Sequence, residues 1–150
     1  MDVRADDVLI LAGDVSHQPH VVRETLAICK EKYKRVFFCP GNHDLWVRGE
    51  EECSMAKLRW LLELCEELGV ETSPGEVRAG GRRVLIVPLL SFHHPQWDEE
   101  PDVEGWEGID KVQNIITDYH VTRWPRGVRI EDGSAAREID RVNDEVFDPE

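Results

Sequence analysis

The chain has 150 residues, with 31 Asp and Glu against 18 Lys and Arg, a net charge of -13, 41% hydrophobic and 33% charged residues. That length supports one core and the burial of roughly 68–70% of the unfolded surface, and the composition is that of a soluble globular chain rather than a disordered one. The acidity speaks against a nucleic-acid backbone or an anionic membrane surface as partner, and no apolar run reaches membrane-spanning length.

The acidic excess grows along the chain, so that the last fifty residues carry -7 of the -13. A protein partner bound through this acidic C-terminal third is one expectation. The opening Met1-Asp2-Val3-Arg4 lacks the basic and apolar regions of a secretory leader, which makes the cytoplasm the default compartment; targeting could still lie in residues upstream. Cys29, Cys39, Cys53 and Cys65 form no Cys-x-x-Cys pair and have no histidine pair at zinc spacing, so they read as small buried hydrophobes.

In chain order, Val8-Leu9-Ile10-Leu11-Ala12 followed by Gly13-Asp14 predicts a strand buried on both faces, as in a parallel sheet. A helix is expected from about Pro19 to Lys34, with Val22, Leu26, Cys29 and Tyr33 on one stripe and basic residues at its end. Val36-Phe37-Phe38-Cys39, stopped by Pro40-Gly41, is a second buried strand and completes a βαβ unit. A second helix from about Ser54 to Leu68 carries Leu58, Leu61, Leu62, Cys65 and Leu68, with Ser54 as N-cap and Gly69 at its C-terminal stop. Gly80-Gly81 between Val77 and Arg82 predicts a hairpin, whose second strand runs toward Leu90 and, because of Pro88, is an edge strand or one with an irregularity. Residues 1–90 thus form an α/β core unit and residues 91–150 an acidic, loop-rich excursion, with one further helix from Ala135 to Phe147.

Two motifs lie at the C-terminal ends of the paired strands: Gly13-Asp14-Val15-Ser16-His17 and Pro40-Gly41-Asn42-His43-Asp44. Ligands of open α/β sheets gather in the crevice outside those strand ends, so Asp14, Asn42 and His43 should converge. A carboxylate and an amide oxygen suit a hard divalent cation, and an imidazole suits a metal or a phosphate.

Gly13-Asp14 and Gly41-Asn42-His43-Asp44, 28 residues apart and each behind an apolar strand, resemble the second and third motifs of the calcineurin-like metallophosphoesterases. Leu45-Trp46 and Pro88-Leu89-Leu90-Ser91-Phe92-His93-His94-Pro95 are similar to a subgroup with a long segment after the third motif. The resemblance covers most of the chain, closely to residue 46 and loosely beyond. It implies a four-layer α/β/β/α sandwich, of which this chain holds the leading βαβ unit, and two divalent metals drawn from Mn, Fe, Zn or Mg. It further implies that Asp14 bridges the metals, that Asn42 binds the second one, and that His43 contacts the phosphoryl group. The reaction implied is hydrolysis of a small-molecule phosphomonoester, phosphodiester or pyrophosphate by metal-activated water.

The departures define a second expectation. No histidine precedes His17, so the family's Asp-x-His element is absent, and no Gly-His dipeptide supplies its Gly-His-x-His. The chain is therefore expected to be an internal piece of the domain, weak or inactive alone; the alternative is a catalytically silent interaction module of the same fold. Where many members carry an Asp three residues after the bridging Asp, this chain has His17, which leaves Asp44 as the adjacent carboxylate to orient His43. His93 and His94 read as a loop exit, Trp46 and Trp60 as packing groups rather than stacking platforms, and Asp98-Glu99-Glu100 as a solvated loop.

Overall fold

The computed structural model describes residues 4–101, 105, 108 and 110–147, and Asp102 and Trp106 lie outside them. Strand β1 (Arg4–Leu11) pairs in parallel with β2 (Tyr33–Phe38), with Leu9 opposite Val36 and Leu11 opposite Phe38. Helix α1 (Pro19–Lys32) crosses between them, with Pro19 in its first turn and Val22 and Leu26 fully buried.

The expected stripe extended this helix through Tyr33. Instead, Tyr33 has extended dihedrals and begins β2 directly, its N–H closing the last turn on the Cys29 carbonyl. Lys30 caps the junction by donating to the Lys34 carbonyl at 3.0 Å. The apolar spacing belongs to both elements, and the β-prone run Tyr33–Phe38 wins the shared residue.

Helix α2 (Ser54–Leu68) buries Leu58, Leu61, Leu64 and Cys65 against α1 and the sheet, and stops at Gly69, whose φ of 68° suits glycine. Its N-cap is Cys53 rather than Ser54: the Cys53 sulfur accepts from the Ala56 N–H at 3.4 Å. Ser54 instead donates its hydroxyl to the Leu45 carbonyl and accepts from the Arg123 N–H. After α2 the chain adds an unexpected parallel bridge, Glu71 beside Phe37, through Phe38 N–H to Glu71 O at 2.9 Å and Glu71 N–H to Val36 O at 2.8 Å. A single bridging residue is too short to leave a periodic signal. Arg35 forks onto the Glu71 carboxylate and fixes this edge.

Strands β3 (Gly75–Ala79) and β4 (Arg82–Ile86) form the expected hairpin, with positive φ at both Gly80 and Gly81. β4 ends at Ile86, short of Pro88, and Leu85 is 65% exposed. Ile10 of β1 is likewise 61% exposed, so β1 is not buried on both faces as its composition predicted. Among the described residues, β1 and β2 form a two-stranded sheet.

The chain then makes two one-turn helices, α3 (Val112–Ile115) and α4 (Asp118–Val121), and the longer α5 (Ser134–Phe147). Val47 N–H bonds to Val121 O, and Ser54 N–H to Arg123 O, which seats residues 121–123 on the loop before α2. Ile139 of α5 joins the main core, and Asn143 clasps Leu90 by donating to its carbonyl and accepting from its N–H. No helix of the described residues is long and apolar enough to cross a membrane.

Candidate active site

The parallel pairing of β1 and β2 delivers the two glycine motifs side by side. They interlock: a Cβ on Gly13, where φ is +81°, would lie 2.7 Å from the Cys39 carbonyl and 2.8 Å from Gly41 Cα. A Cβ on Gly41 would meet the Asp14 backbone nitrogen at 2.8 Å. Only glycine at both positions permits this approach. Asp14 itself has φ of 54°, a left-handed conformation that Asp tolerates better than most residues.

Beneath the loops sits Asp44, with no solvent exposure. Its Oδ2 accepts from the backbone N–H groups of Asp14 and Gly41, both at 2.9 Å, and its Oδ1 accepts from Ser16 N–H at 3.0 Å. The sequence suggested Asp44 as the group orienting the His43 ring. Its two oxygens are engaged by backbone amides, so it acts as a brace that ties the Asp14 loop to the Asn42 loop.

A second buried charge complements it from helix α2. Lys57 is fully buried on α2 and donates to the carbonyls of His17 at 2.6 Å and Trp46 at 2.5 Å, one from each loop. Burial holds the Lys57 ammonium below its ordinary pKa, opposed by the charges of Glu51 and Asp44. Sequence reasoning missed this residue, although positions 54, 57, 58, 61 and 65 share one helical face and a lysine there was the available signal. His17 contributes that carbonyl and holds its ring 6.4 Å from Trp46. Burial pushes the Cys65 thiol of the α2 core up to about 12, the Asp44 charge adding to it.

The candidate site residues Asp14, Asn42 and His43 lie on the two loops that Asp44 ties together. Asp14 is exposed, and its Oδ1 accepts from the His43 N–H at 3.1 Å. The exposed His43 ring stacks on Trp46, centroids 3.8 Å apart and planes 30° from parallel. Trp46, expected to serve packing, is thus the platform for an imidazole. Asn42 donates through Nδ2 to both oxygens of Asp118, at 2.9 and 3.0 Å. Asp118 also accepts from the Trp46 indole N–H at 2.7 Å. Asp118 lies 76 residues from Asn42, and no local pattern marks it.

Asp14 and Asn42 share one cleft of about 470 Å³, whose other wall includes Ile10, Val87 and Leu89. A second cleft of about 540 Å³ meets the first at Asn42 and is walled by Phe92, His93, Trp97, Val112 and Ile116. His94 turns elsewhere, pairing with Asp140 at 2.9 Å and stacking on Trp97.

The donors fit a divalent cation in kind. A carboxylate and an amide are hard oxygen ligands, and with the Asn42 amide nitrogen donating to Asp118, the Asn42 oxygen faces away from that carboxylate. In number they fall short of the roughly six ligands such cations take. Among the described residues, no three His, Cys, Asp or Glu side chains converge as a metal-binding group.

Comparison with known proteins bears on the family and the fold. The family model for calcineurin-like phosphoesterases matches residues 2–143. The chain is 34% identical over 120 residues to the [acyl-carrier-protein] phosphodiesterase PptH of Mycobacterium tuberculosis, covering 74% of this chain and 37% of that protein. It also superposes on the crystal structure of the phosphopantetheinyl hydrolase PptH from Mycobacterium tuberculosis with a TM-score of 0.66 and 23% identity, over 92% of this chain and 51% of that one. The chain therefore spans about half or less of the length of the proteins it matches.

Proposed function

This chain belongs to the calcineurin-like phosphoesterase family, and from that premise we propose that it forms part of a metal-dependent phosphodiesterase site, with Asp14 and Asn42 as cation ligands and His43 as the phosphoryl-contacting group. The observation that supports the reading is the interlock of Gly13 and Gly41, beside which Asp14 and Asn42 line one cleft while the His43 backbone bonds to Asp14 Oδ1. Two divalent cations, when bound, supply Lewis-acid activation of water and neutralise charge at the reacting phosphorus.

The chain's own residues do the rest. Asp14 offers a carboxylate oxygen while its Oδ1 fixes the His43 backbone. His43, stacked at a tilt on Trp46, is available to donate a hydrogen bond to a phosphoryl oxygen or a proton to the departing alkoxide. Asp44 and Lys57 hold the two loops in register, which keeps the ligand oxygens in place before any substrate arrives. A diester is favoured among the phosphoesters because the two clefts meeting at Asn42 leave room for an organic group on either side of a phosphoryl there. The name of the Mycobacterium tuberculosis relative, an acyl-carrier-protein phosphodiesterase, supports the same class.

The chain is a partial domain in this reading. Its two donors leave a cation pair under-coordinated, and the exposed apolar residues Ile10 and Leu85 belong to a sandwich only partly built here. Weak turnover is the consequence. A second reading, a silent interaction module, draws on the same shortage of ligands. Hydrolysis of bis(p-nitrophenyl) phosphate with added Mn²⁺ separates them: the first predicts slow metal-dependent turnover that Asp14→Asn abolishes, whereas turnover equal in both proteins removes Asp14 from the site, and none in either favours the silent module.

A further inference from the structure

Asp118 joins two groups of the site that are otherwise independent. One of its oxygens accepts from both the Asn42 amide and the Trp46 indole, and the other accepts from the Asn42 amide alone. A carboxylate accepts and does not donate, so it binds only the NH₂ side of an amide. Turning the Asn42 amide over would set its oxygen against the Asp118 oxygens. The same carboxylate anchors the indole on which His43 lies.

Asp118 is itself held in place. Its carbonyl accepts from the Thr122 hydroxyl at 2.6 Å, and the Val47 N–H to Val121 O bond seats the end of α4 on the loop that carries Trp46. The segment that supplies Asp118 is thus packed against the residues it orients.

We propose that Asp118 is a positioning residue: it sets the sense of the Asn42 amide so that the oxygen, not the nitrogen, is offered to a cation, and it fixes the Trp46 plane beneath His43. This rests on the assignment of Asn42 as a cation ligand. In the variant Asp118→Asn, the oxygen best takes the Oδ1 place that accepts from both Trp46 and Asn42, and the new NH₂ then confronts the Asn42 NH₂, so the Asn42 amide is no longer held in one sense.

The test is nuclear magnetic resonance of the whole 150-residue chain. In the metal-free wild type, the Asn42 side-chain amide protons exchange more slowly than those of the exposed Asn114, and Asp118→Asn shifts both the Asn42 amide and the Trp46 indole signals. Exchange at Asn42 as fast as at Asn114 would overturn the proposal without any variant. Mn²⁺ alone is then titrated and read by paramagnetic broadening of the Asp14 and Asn42 backbone amides, which registers weak sites. Asp118→Asn should weaken Mn²⁺ binding by about 10–100-fold, as removal of an outer-shell partner does. Asn42→Ala should weaken it comparably, and the double variant should lose no more than Asn42→Ala. An additive loss in the double variant would mean that Asp118 acts by general destabilisation and would contradict the proposal. A wild type showing no broadening at Asp14 and Asn42 would sink the metal-site reading itself, while the metal-free amide signals still decide how Asp118 holds Asn42.

Discussion

Replacing Asp44 by Asn probes the brace under the site with almost no change in shape. In the native protein, three backbone N–H groups bond to a fully buried carboxylate, each such charge-assisted bond contributing about 1.5–3 kcal/mol. The asparagine oxygen best replaces Oδ2, where it keeps the Asp14 and Gly41 amides as neutral bonds weakened by about 1 kcal/mol each. The NH₂ then confronts the Ser16 N–H, donor against donor, at a cost of about 2 kcal/mol. The sum, about 4 kcal/mol, is a large part of the roughly 5–15 kcal/mol that holds a domain folded. With an m-value of about 2 kcal/mol/M, the urea midpoint measured by circular dichroism should fall by about 2 M. Desolvation opposes this, because an isolated buried charge is costly and its removal can be neutral or favourable. A midpoint unchanged or raised in Asp44→Asn would show that desolvation wins and that the three amide bonds do not brace the loops.

Two further outcomes follow from the same structure. Gly13→Ala adds a Cβ against the Cys39 carbonyl at a residue with φ of +81°, so it should destabilise by at least about 1–3 kcal/mol and weaken Mn²⁺ binding together, as chemical denaturation and metal titration would show. Above pH 9 the unfolded chain releases the Cys65 proton while the folded protein, with this thiol raised to about 12, retains it; the unfolded state then binds fewer protons, and stability falls as pH rises. From pH 9 to 10 the decline due to this group should be about 1 kcal/mol in wild type, and Cys65→Ala should show a correspondingly shallower slope in urea titrations across that window.

The candidate site was legible where its residues sit next to their own structural causes. Asp14 and Asn42-His43 each follow a strand and a glycine, so motif and fold point to one place. Gly80-Gly81 gave the hairpin for the same reason, since a two-residue turn declares its dihedrals through its residue types. Asp118 was not legible, because its meaning depends on a contact 76 residues away. Asp44 was visible as a neighbour of His43, but its burial beneath Asp14 and Ser16 depends on how two loops close on each other. Tyr33 and Ser54 show the limit at element ends, where one residue satisfies two patterns and tertiary packing chooses. Ile10 and Leu85 show another: apolar composition predicts burial, but only a covering element provides it.

The central claim is that Asp14 is a cation ligand rather than a strand-end turn residue. Electron paramagnetic resonance of free Mn²⁺, titrated with the wild-type chain and with Asp14→Asn, tests it directly. Asparagine keeps the shape and tolerates the left-handed φ of 54°, so folding should change by less than about 1 kcal/mol for one exposed hydrogen bond. The account predicts that wild type depletes the free Mn²⁺ signal and that Asp14→Asn requires at least about ten times the protein to do so. Equal depletion by the two folded proteins would contradict it.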